Sequence, residues 1–237
     1  MKRRSFMAAL AVFFTIPSHG EAASSEKYPI SQSDILKVPA KFRRKRVSFV
    51  DLYAPGTIVV DTKRKYLYYV EGDGTALRYG IGVGRQGFSW SGSAIIKRKA
   101  KWPTWTPPAA MVARDPFAAK WAHGMPGGPG NPLGARALYL YQGDVDTLYR
   151  IHGTIVPSSI GKAVSSGCIR MINADVADLY ERVSPGARVL VLQKGLDDDG
   201  TELMSNDETD GMEQEEQRPR KRRRRFFFFG RSGNENL

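Results

Sequence analysis

The stretch GTIVVDTKRKYLYYVEGDGTALRYGIGVG, residues 56–84, decides the fold class of this chain. It contains three short runs rich in β-branched and aromatic residues, Gly56–Asp61, Lys65–Val70 and Ala76–Gly84, which are typical of strands. The turn-forming segments TKR and EGDG separate these runs. Consecutive hairpins of this kind predict an antiparallel sheet.

Further β-type runs lie towards the C-terminus, so we expect a mostly β domain. One short helix is expected after the only cysteine, with Asn173 as its N-cap and Pro185 and Gly186 at its end. The further strands are predicted at Ser93–Ala100, Ala137–Gln142, Arg150–Thr154 and Ala187–Gln193. The apolar stripe of the helix is Val176, Leu179, Tyr180 and Val183.

The segment between the predicted strands, Lys101–Arg136, carries three tryptophans, several prolines and a cluster of glycines. A long segment without strand or helix pattern inside a compact domain is usually a lid or a binding loop. We therefore expect residues from this segment to cover a site, although its aromatic side chains could equally pack over the sheet.

The N-terminus has the features of a secretory signal peptide. Lys2, Arg3 and Arg4 precede a short apolar run and then small residues, which predicts a signal over residues 1–22 with cleavage near Ala22 or Ala23. An uncleaved anchor is the alternative. The expected location is the periplasm or cell envelope.

The remaining boundaries follow from composition. Residues 23–46, which include KFRRKR, are predicted to be a basic linker or arm, and residues 47–194 the globular domain. Residues 195–237 are predicted to be a disordered tail, first acidic and then basic. Phe226–Phe229 beside four arginines could make weak contact with an anionic membrane surface.

The formal charge of +12 favours anionic partners. For an exported protein, a carboxylate-rich cell wall is a better match than nucleic acid. One cysteine and scattered histidines lack the spacing of a metal site, so no metal is expected. Gly82, Gly84 and Gly87 fit GxGxxG, but a strand pattern follows them where a dinucleotide site needs a helix, so no cofactor is expected.

The run IHGTIVPSSIGKAVSSGCIRM, residues 151–171, places His152 sixteen residues before Cys168. An imidazole that accepts the thiol proton would activate the sulfur as a nucleophile and hold it as a thiolate in an ion pair. Backbone N–H groups of Gly167 and Cys168 could stabilise an oxyanion, and Arg170 suits a substrate carboxylate. A buried, unreactive thiol is the alternative.

These residues closely resemble the signature of the L,D-transpeptidase catalytic domain (YkuD-like): a histidine, a gap, then a small polar residue, glycine and cysteine. The resemblance covers about residues 47–193 and includes MPGGPGNPLGARALYL. It implies a mostly β domain with a mixed, sandwich-like sheet that acts on peptidoglycan stem peptides. Such an enzyme cleaves a tetrapeptide after its L-centre, releases D-alanine and forms a cysteine thioester.

The resemblance also implies roles for individual residues. Cys168 would be the nucleophile and His152 the general base, oriented by the carbonyl of Gly153. Many members have a second histidine where this chain has Ser166, which would tune substrate binding. His123, the rival candidate for the base, lies in a loop that resembles the family's flap and would contact substrate or merely pack.

The acceptor stays open at this stage. An amine of a neighbouring diaminopimelate would give a 3-3 cross-link, and a lysine of an envelope protein would give a covalent tether. Attack by water would make the protein an L,D-carboxypeptidase. A non-catalytic wall-binding module is the alternative from another class.

Overall fold

The computed structural model describes residues 26–50, 52–84, 91–165, 167–192 and 195–196. Within them the chain forms eleven strands and three α-helices. The strands are β1 (Lys45–Ser48), β2 (Ile58–Asp61), β3 (Tyr66–Gly72), β4 (Thr75–Gly80), β5 (Val83–Gly84), β6 (Gly92–Lys101), β7 (Arg136–Gln142), β8 (Val145–His152), β9 (Ala163–Ser165), β10 (Ile169–Arg170) and β11 (Arg188–Leu192). The α-helices are α1 (Ala109–Val112), α2 (Pro116–Lys120) and α3 (Asn173–Arg182), and 3₁₀ helices lie at Ser33–Lys37, Ala40–Phe42 and Pro157–Ser159.

Nine of these strands form one sheet in the order β1-β4-β3-β2-β11-β6-β7-β8-β10, and β5 pairs with β9 beside it. In the large sheet β11 runs parallel to β2 and β10 parallel to β8, while the other neighbours are antiparallel. The prediction of a mostly β domain with a mixed sheet and a short helix after Cys168 is confirmed.

The main core lies between the sheet and α3. Strand β2 is buried on both faces: Ile58 and Val60 belong to the main cluster, and Val59 belongs to a second cluster on the opposite face. Helix α3 adds Val176 and Leu179, two positions of the predicted stripe, to the main cluster. Each such side chain contributes about 1.5–3 kcal/mol when fully buried, so this core holds the strands in register.

The N-terminal segment differs from the predicted linker. Its described residues include two 3₁₀ helices and strand β1, which pairs antiparallel with β4. Val38 is buried against α3, and Arg46 donates two hydrogen bonds, of 2.7 and 2.9 Å, to Glu71. Lys41, Lys45 and Arg46 are exposed, whereas Phe42 and Val47 pack against the domain, so this segment is part of the folded unit.

Two local predictions also differ from the structure. The segment before β7 contains α1 and α2, with Asp115 accepting a hydrogen bond from the N–H of Phe117 as the cap of α2. Asn173 is the first residue of α3, and its Oδ1 accepts a hydrogen bond of 2.9 Å from the N–H of Ala135. Asn173 thus ties α3 to the start of β7 rather than capping its own helix.

At the C-terminal end, the described structure extends beyond the predicted domain boundary. Leu196 is fully buried in the second cluster, and its N–H donates to Oδ2 of Asp61 at 2.8 Å. The predicted tail after residue 196 lies outside the described residues, as does the predicted signal peptide. None of the helices in the described part has the length and apolar character needed to cross a membrane.

Candidate active site

His152 lies at the end of β8 and is 4% exposed. Its Nδ1 is 2.6 Å from the carbonyl oxygen of Gly153. Because a carbonyl only accepts, Nδ1 carries the proton, and Nε2 of the neutral ring is left as a proton acceptor. This tautomer is the one that a general base requires.

Burial lowers the pKa of His152 to about 4. The backbone groups of Gly153 and Leu133 oppose this shift, but the positive charges of Arg170 and Arg150 add to it. The imidazole is therefore neutral near pH 7.

Cys168 immediately precedes β10, whose register pairs Ile169 with Ile151 and Arg170 with His152. Since side chains alternate along a strand, Cys168 and Arg170 share the sheet face that carries His152. All three side chains line one cavity of about 530 Å³. Chain folding thus brings together the three residues that the sequence analysis singled out.

The thiol of Cys168 is partly exposed, and its Sγ is 4.0 Å from the carbonyl oxygen of Leu148. Its low-dielectric surroundings raise the pKa of the thiol, while a backbone contact and the charge of Arg150 oppose the rise. Burial thus disfavours the thiolate of Cys168 as it disfavours the imidazolium of His152. Both shifts oppose the thiolate–imidazolium ion pair described in the sequence analysis, which stays a prediction.

Arg170 is anchored through its backbone. Its N–H donates to the carbonyl of Gly82 at 2.8 Å, and its carbonyl accepts from the N–H of Gly82 at 2.9 Å. The side chain faces the cavity, and its Nε is buried without a hydrogen-bond partner among the described residues. Burial lowers the pKa of this guanidinium, and the Cys168 side chain opposes the shift. A buried, unsatisfied donor of this kind favours an anionic ligand.

Close backbone packing fixes the acceptor of His152. The N–H of Gly153 donates to the carbonyl of Arg136 at 3.0 Å, which joins the end of β8 to β7. A Cβ at Gly153 would lie 2.2 Å from Oδ1 of Asn173, so only glycine fits there. Asn173 was not predicted to belong to the site. Residue 173 is far from β7 along the chain, so the sequence gives no sign that its side chain lies next to Gly153 and Ala135.

Gly167 has φ +131°, a conformation that favours glycine, and a Cβ there would be 3.4 Å from Cε1 of Tyr149. Gly167 lines the cavity next to Cys168. Ser166 lies outside the described residues.

The segment predicted as a lid supplies much of the cavity wall. Trp105 and Phe117 stack with ring centroids 5.9 Å apart, and Trp105 exchanges backbone hydrogen bonds of 2.9 and 2.7 Å with Met125. His123 is exposed in the turn that follows α2, and it is not among the residues that line the cavity. The sequence analysis did not single out Asp115, Thr147, Leu148 or Tyr149 as members of the site.

No group of three or more His, Cys, Asp or Glu side chains in the described part of the chain is arranged to hold a metal ion.

A family model described as the L,D-transpeptidase catalytic domain (YkuD) matches residues 55–191 of this chain. The match begins just before β2 and ends within β11, so it contains β2 to β10, the residues that line the cavity, His152 and Cys168, while β1 lies outside it. The chain therefore belongs to the L,D-transpeptidase family.

Individual relatives agree with this assignment. The probable L,D-transpeptidase YbiS of Escherichia coli is 36% identical over 148 residues, which are 59% of this chain and 45% of the relative. The probable L,D-transpeptidase ErfK/SrfK of Salmonella typhimurium is 33% identical over 147 residues, 61% of this chain and 46% of the relative. The chain thus spans about half the length of the curated relatives it matches.

Among solved structures, one from Brucella melitensis, described as a probable carnitine operon oxidoreductase, is 51% identical with a TM-score of 0.46. The match covers 68% of this chain and 99% of that one. The family assignment is carried by the family model and the sequence relatives.

Proposed function

We propose that this chain is a peptidoglycan L,D-transpeptidase that transfers the acyl group of a tetrapeptide stem through a thioester on Cys168 to an amine. The observation that carries this proposal is the shared cavity in which His152, Cys168 and Arg170 project from neighbouring parallel strands. A buried imidazole of the correct tautomer, a thiol and an unsatisfied guanidinium together provide a base, a nucleophile and an anion anchor.

In the acylation step, the thiol proton moves to Nε2 of His152 as the sulfur attacks the carbonyl carbon that follows the L-centre. The carbonyl oxygen takes up negative charge, and the backbone N–H groups of Gly167 and Cys168 stabilise it. The imidazolium then returns the proton to the leaving amine. The C–N bond breaks, D-alanine departs and the thioester remains.

Gly153 supports this step from behind the ring. Its carbonyl holds the Nδ1 proton and stabilises the imidazolium that forms transiently. Because the pKa of the resting imidazole is about 4, proton transfer is coupled to the attack on the substrate and does not precede it.

Arg170 binds a carboxylate of the stem peptide, and Ser166 adjusts how the peptide is held. A carboxylate beside Arg170 satisfies the buried Nε and offsets the positive charge that lowers the pKa of His152. Donor binding thereby raises the basicity of the imidazole at the moment when it must accept a proton.

In the second step, the amine of an acceptor attacks the thioester and the sulfur leaves with a proton. Diaminopimelate of a neighbouring stem, or a lysine of an envelope protein, supplies the amine. We further propose that the protein works in the periplasm or cell envelope after export by its N-terminal signal. The basic tail is not needed for the chemistry.

The decisive experiment incubates purified protein with disaccharide tetrapeptides and analyses the products by mass spectrometry. The proposal expects a cross-linked dimer of stem peptides or, with a lysine peptide added, a peptide adduct. Loss of D-alanine alone would indicate a carboxypeptidase. Cys168→Ala should form no product, and His152→Ala should be slower by roughly 10²–10⁴-fold. Full cellular function of Cys168→Ala would instead support a wall-binding module.

A further inference from the structure

The strands that frame the site contain an irregularity next to the sulfur. Strand β8 pairs with β7 at Arg150–Tyr139 and again at Asp146–Tyr141. Between these pairs, the single residue Leu140 of β7 faces three residues of β8, numbers 147–149. Bulges of this kind redirect side chains and are common beside active sites.

Leu148 is at the centre of this bulge and has φ +62°. A left-handed conformation costs a non-glycine residue about 1–2 kcal/mol, so surrounding contacts must hold it. The N–H of Leu148 donates to Oδ1 of Asp146 at 2.9 Å, and the carboxylate of Asp146 also accepts two hydrogen bonds, of 2.6 and 2.8 Å, from Arg150. Thr147 adds a hydrogen bond of 2.7 Å from its Oγ1 to the carbonyl of Leu140.

The result of this strain is an apolar side chain held in solvent. Leu148 is 76% exposed, the highest fraction among the exposed large hydrophobic residues in the described part of the chain. It lines the cavity that contains Cys168, and its carbonyl oxygen is 4.0 Å from Sγ. The hydrophobic clusters of the described residues do not include Leu148, whereas an acyl group on the sulfur would occupy the cavity that Leu148 lines.

We propose that Leu148 is a substrate-contacting residue that covers the Cys168 thioester, so that an amine on an aliphatic chain reaches the thioester in preference to water. The inference rests on the proposed function and specifies its acceptor. The methylene groups next to the amine pack on the leucine and bring the nitrogen to the carbonyl carbon. Water has no apolar part that could make this contact, and an apolar cover excludes it.

The two competing reactions differ only in the nucleophile. In aminolysis, the nitrogen attacks the carbonyl carbon, the C–S bond breaks, the nitrogen loses a proton and the sulfur regains one. In hydrolysis, water oxygen takes the place of nitrogen and a carboxylic acid is released. Neither reaction needs an oxidant or a further reactant. The ratio of hydrolysis to aminolysis products therefore measures how well Leu148 covers the thioester.

The first test measures this ratio with disaccharide tetrapeptides for the wild type, Leu148→Ala and Leu148→Met. Alanine is as strained as leucine at φ +62°, so Leu148→Ala removes the side chain and keeps the backbone constraint. We expect the ratio of hydrolysis to aminolysis to rise roughly tenfold in Leu148→Ala, since most of an apolar contact is lost. Leu148→Met, which keeps an apolar side chain of similar volume, should stay within about twofold of the wild type.

The matched control is Val145→Ala. Val145 is on the same strand and 70% exposed, but it does not line the cavity. The ratio of hydrolysis to aminolysis in Val145→Ala should equal that of the wild type. Circular dichroism checks that all variants are folded. Because Val145 and Leu148 are both exposed, a change in the ratio that occurs only in Leu148→Ala cannot be attributed to a folding defect.

A second test separates this inference from the identity of the substrate. Acylation with p-nitrophenyl butyrate places a butyryl group on Cys168, the only cysteine of the chain, and cadaverine then competes with water. A shift towards butyrate in Leu148→Ala supports the inference, whether or not stem peptides give a product. A lack of product from stem peptides would refute only the proposed function. An unchanged partition in folded Leu148→Ala, an equal shift in Val145→Ala, or a Cys168 that accepts neither acyl group would overturn it.

Discussion

Replacing His152 by glutamine should remove a large acid-dependent contribution to stability. The pKa of His152 is lowered from 6.5 to about 4 in the fold, chiefly by burial. Each pKa unit corresponds to about 1.4 kcal/mol, so full protonation costs the fold about 3 kcal/mol. Between pH 6.5 and pH 4 the unfolded chain binds this proton more readily, and the stability contributed by the neutral imidazole is lost as the pH falls.

Asp175 should have the opposite effect in nearly the same range. It is 2% exposed, and burial raises its pKa from 3.8 to about 6, against the nearby charge of Arg44. For this carboxyl the folded chain binds the proton more readily. The free energy of unfolding therefore falls by about 3 kcal/mol as the pH rises from 3.8 through 6. The two residues oppose each other, so the wild type conceals both contributions.

The assay is urea unfolding of the wild type, His152→Gln and Asp175→Asn at intervals from pH 4 to pH 7.5. Relative to the wild type, His152→Gln should gain stability by about 3 kcal/mol as the pH falls across this range, and Asp175→Asn should gain a similar amount as the pH rises. Differences between proteins are compared because the other carboxylates titrate equally in each. A His152→Gln difference that does not vary with pH would show that the imidazole is not buried in its neutral form, and the coupled proton transfer proposed here would have to be abandoned.

Two further substitutions test contacts behind the site. Glu26→Gln should lower the free energy of unfolding by about 3 kcal/mol, because it leaves the 1% exposed guanidinium of Arg136 without its ion-pair partner. The matched Asp34→Asn, which removes the carboxylate of a surface ion pair, should change the free energy of unfolding by less than about 0.5 kcal/mol. If chemical denaturation gave equal losses for the two variants, the buried pair would be no more important than the surface pair. Gly153→Ala should cost about 1–3 kcal/mol and slow the acylation of Cys168, because its Cβ would lie 2.2 Å from Oδ1 of Asn173. Wild-type acylation kinetics in this variant would mean that the backbone at position 153 does not govern the imidazole.

The strands are the part of the fold that could be predicted most directly. The runs at Gly56–Asp61, Lys65–Val70 and Ser93–Ala100 each overlap an observed strand, because alternation and β-branched composition are properties of adjacent residues. The helix after Cys168 was likewise predicted from a local pattern, the helical spacing of its apolar residues. Its cap was not, because the side chain of Asn173 bonds to a residue 38 positions away.

The site was predicted in part. The motif around His152 and Cys168 indicated the family, which the match over residues 55–191 establishes. The individual roles of the site residues stay predictions that the experiments above address. The contribution of Leu148 had no signal in the sequence, because its conformation depends on a register shift against another strand.

The sequence by itself determined the strand pattern, the helix, the family and the residue types available for chemistry, since all of these are written in short stretches of chain. Only the tertiary structure decided that residues 26–48 belong to the domain, that Asn173 bonds to Ala135 just before β7 and that the pKa of His152 is lowered. Burial, charge and strain at a residue are set by neighbours that are distant in sequence. The burial, electrostatic environment and backbone strain of a residue are therefore fixed only in the folded domain.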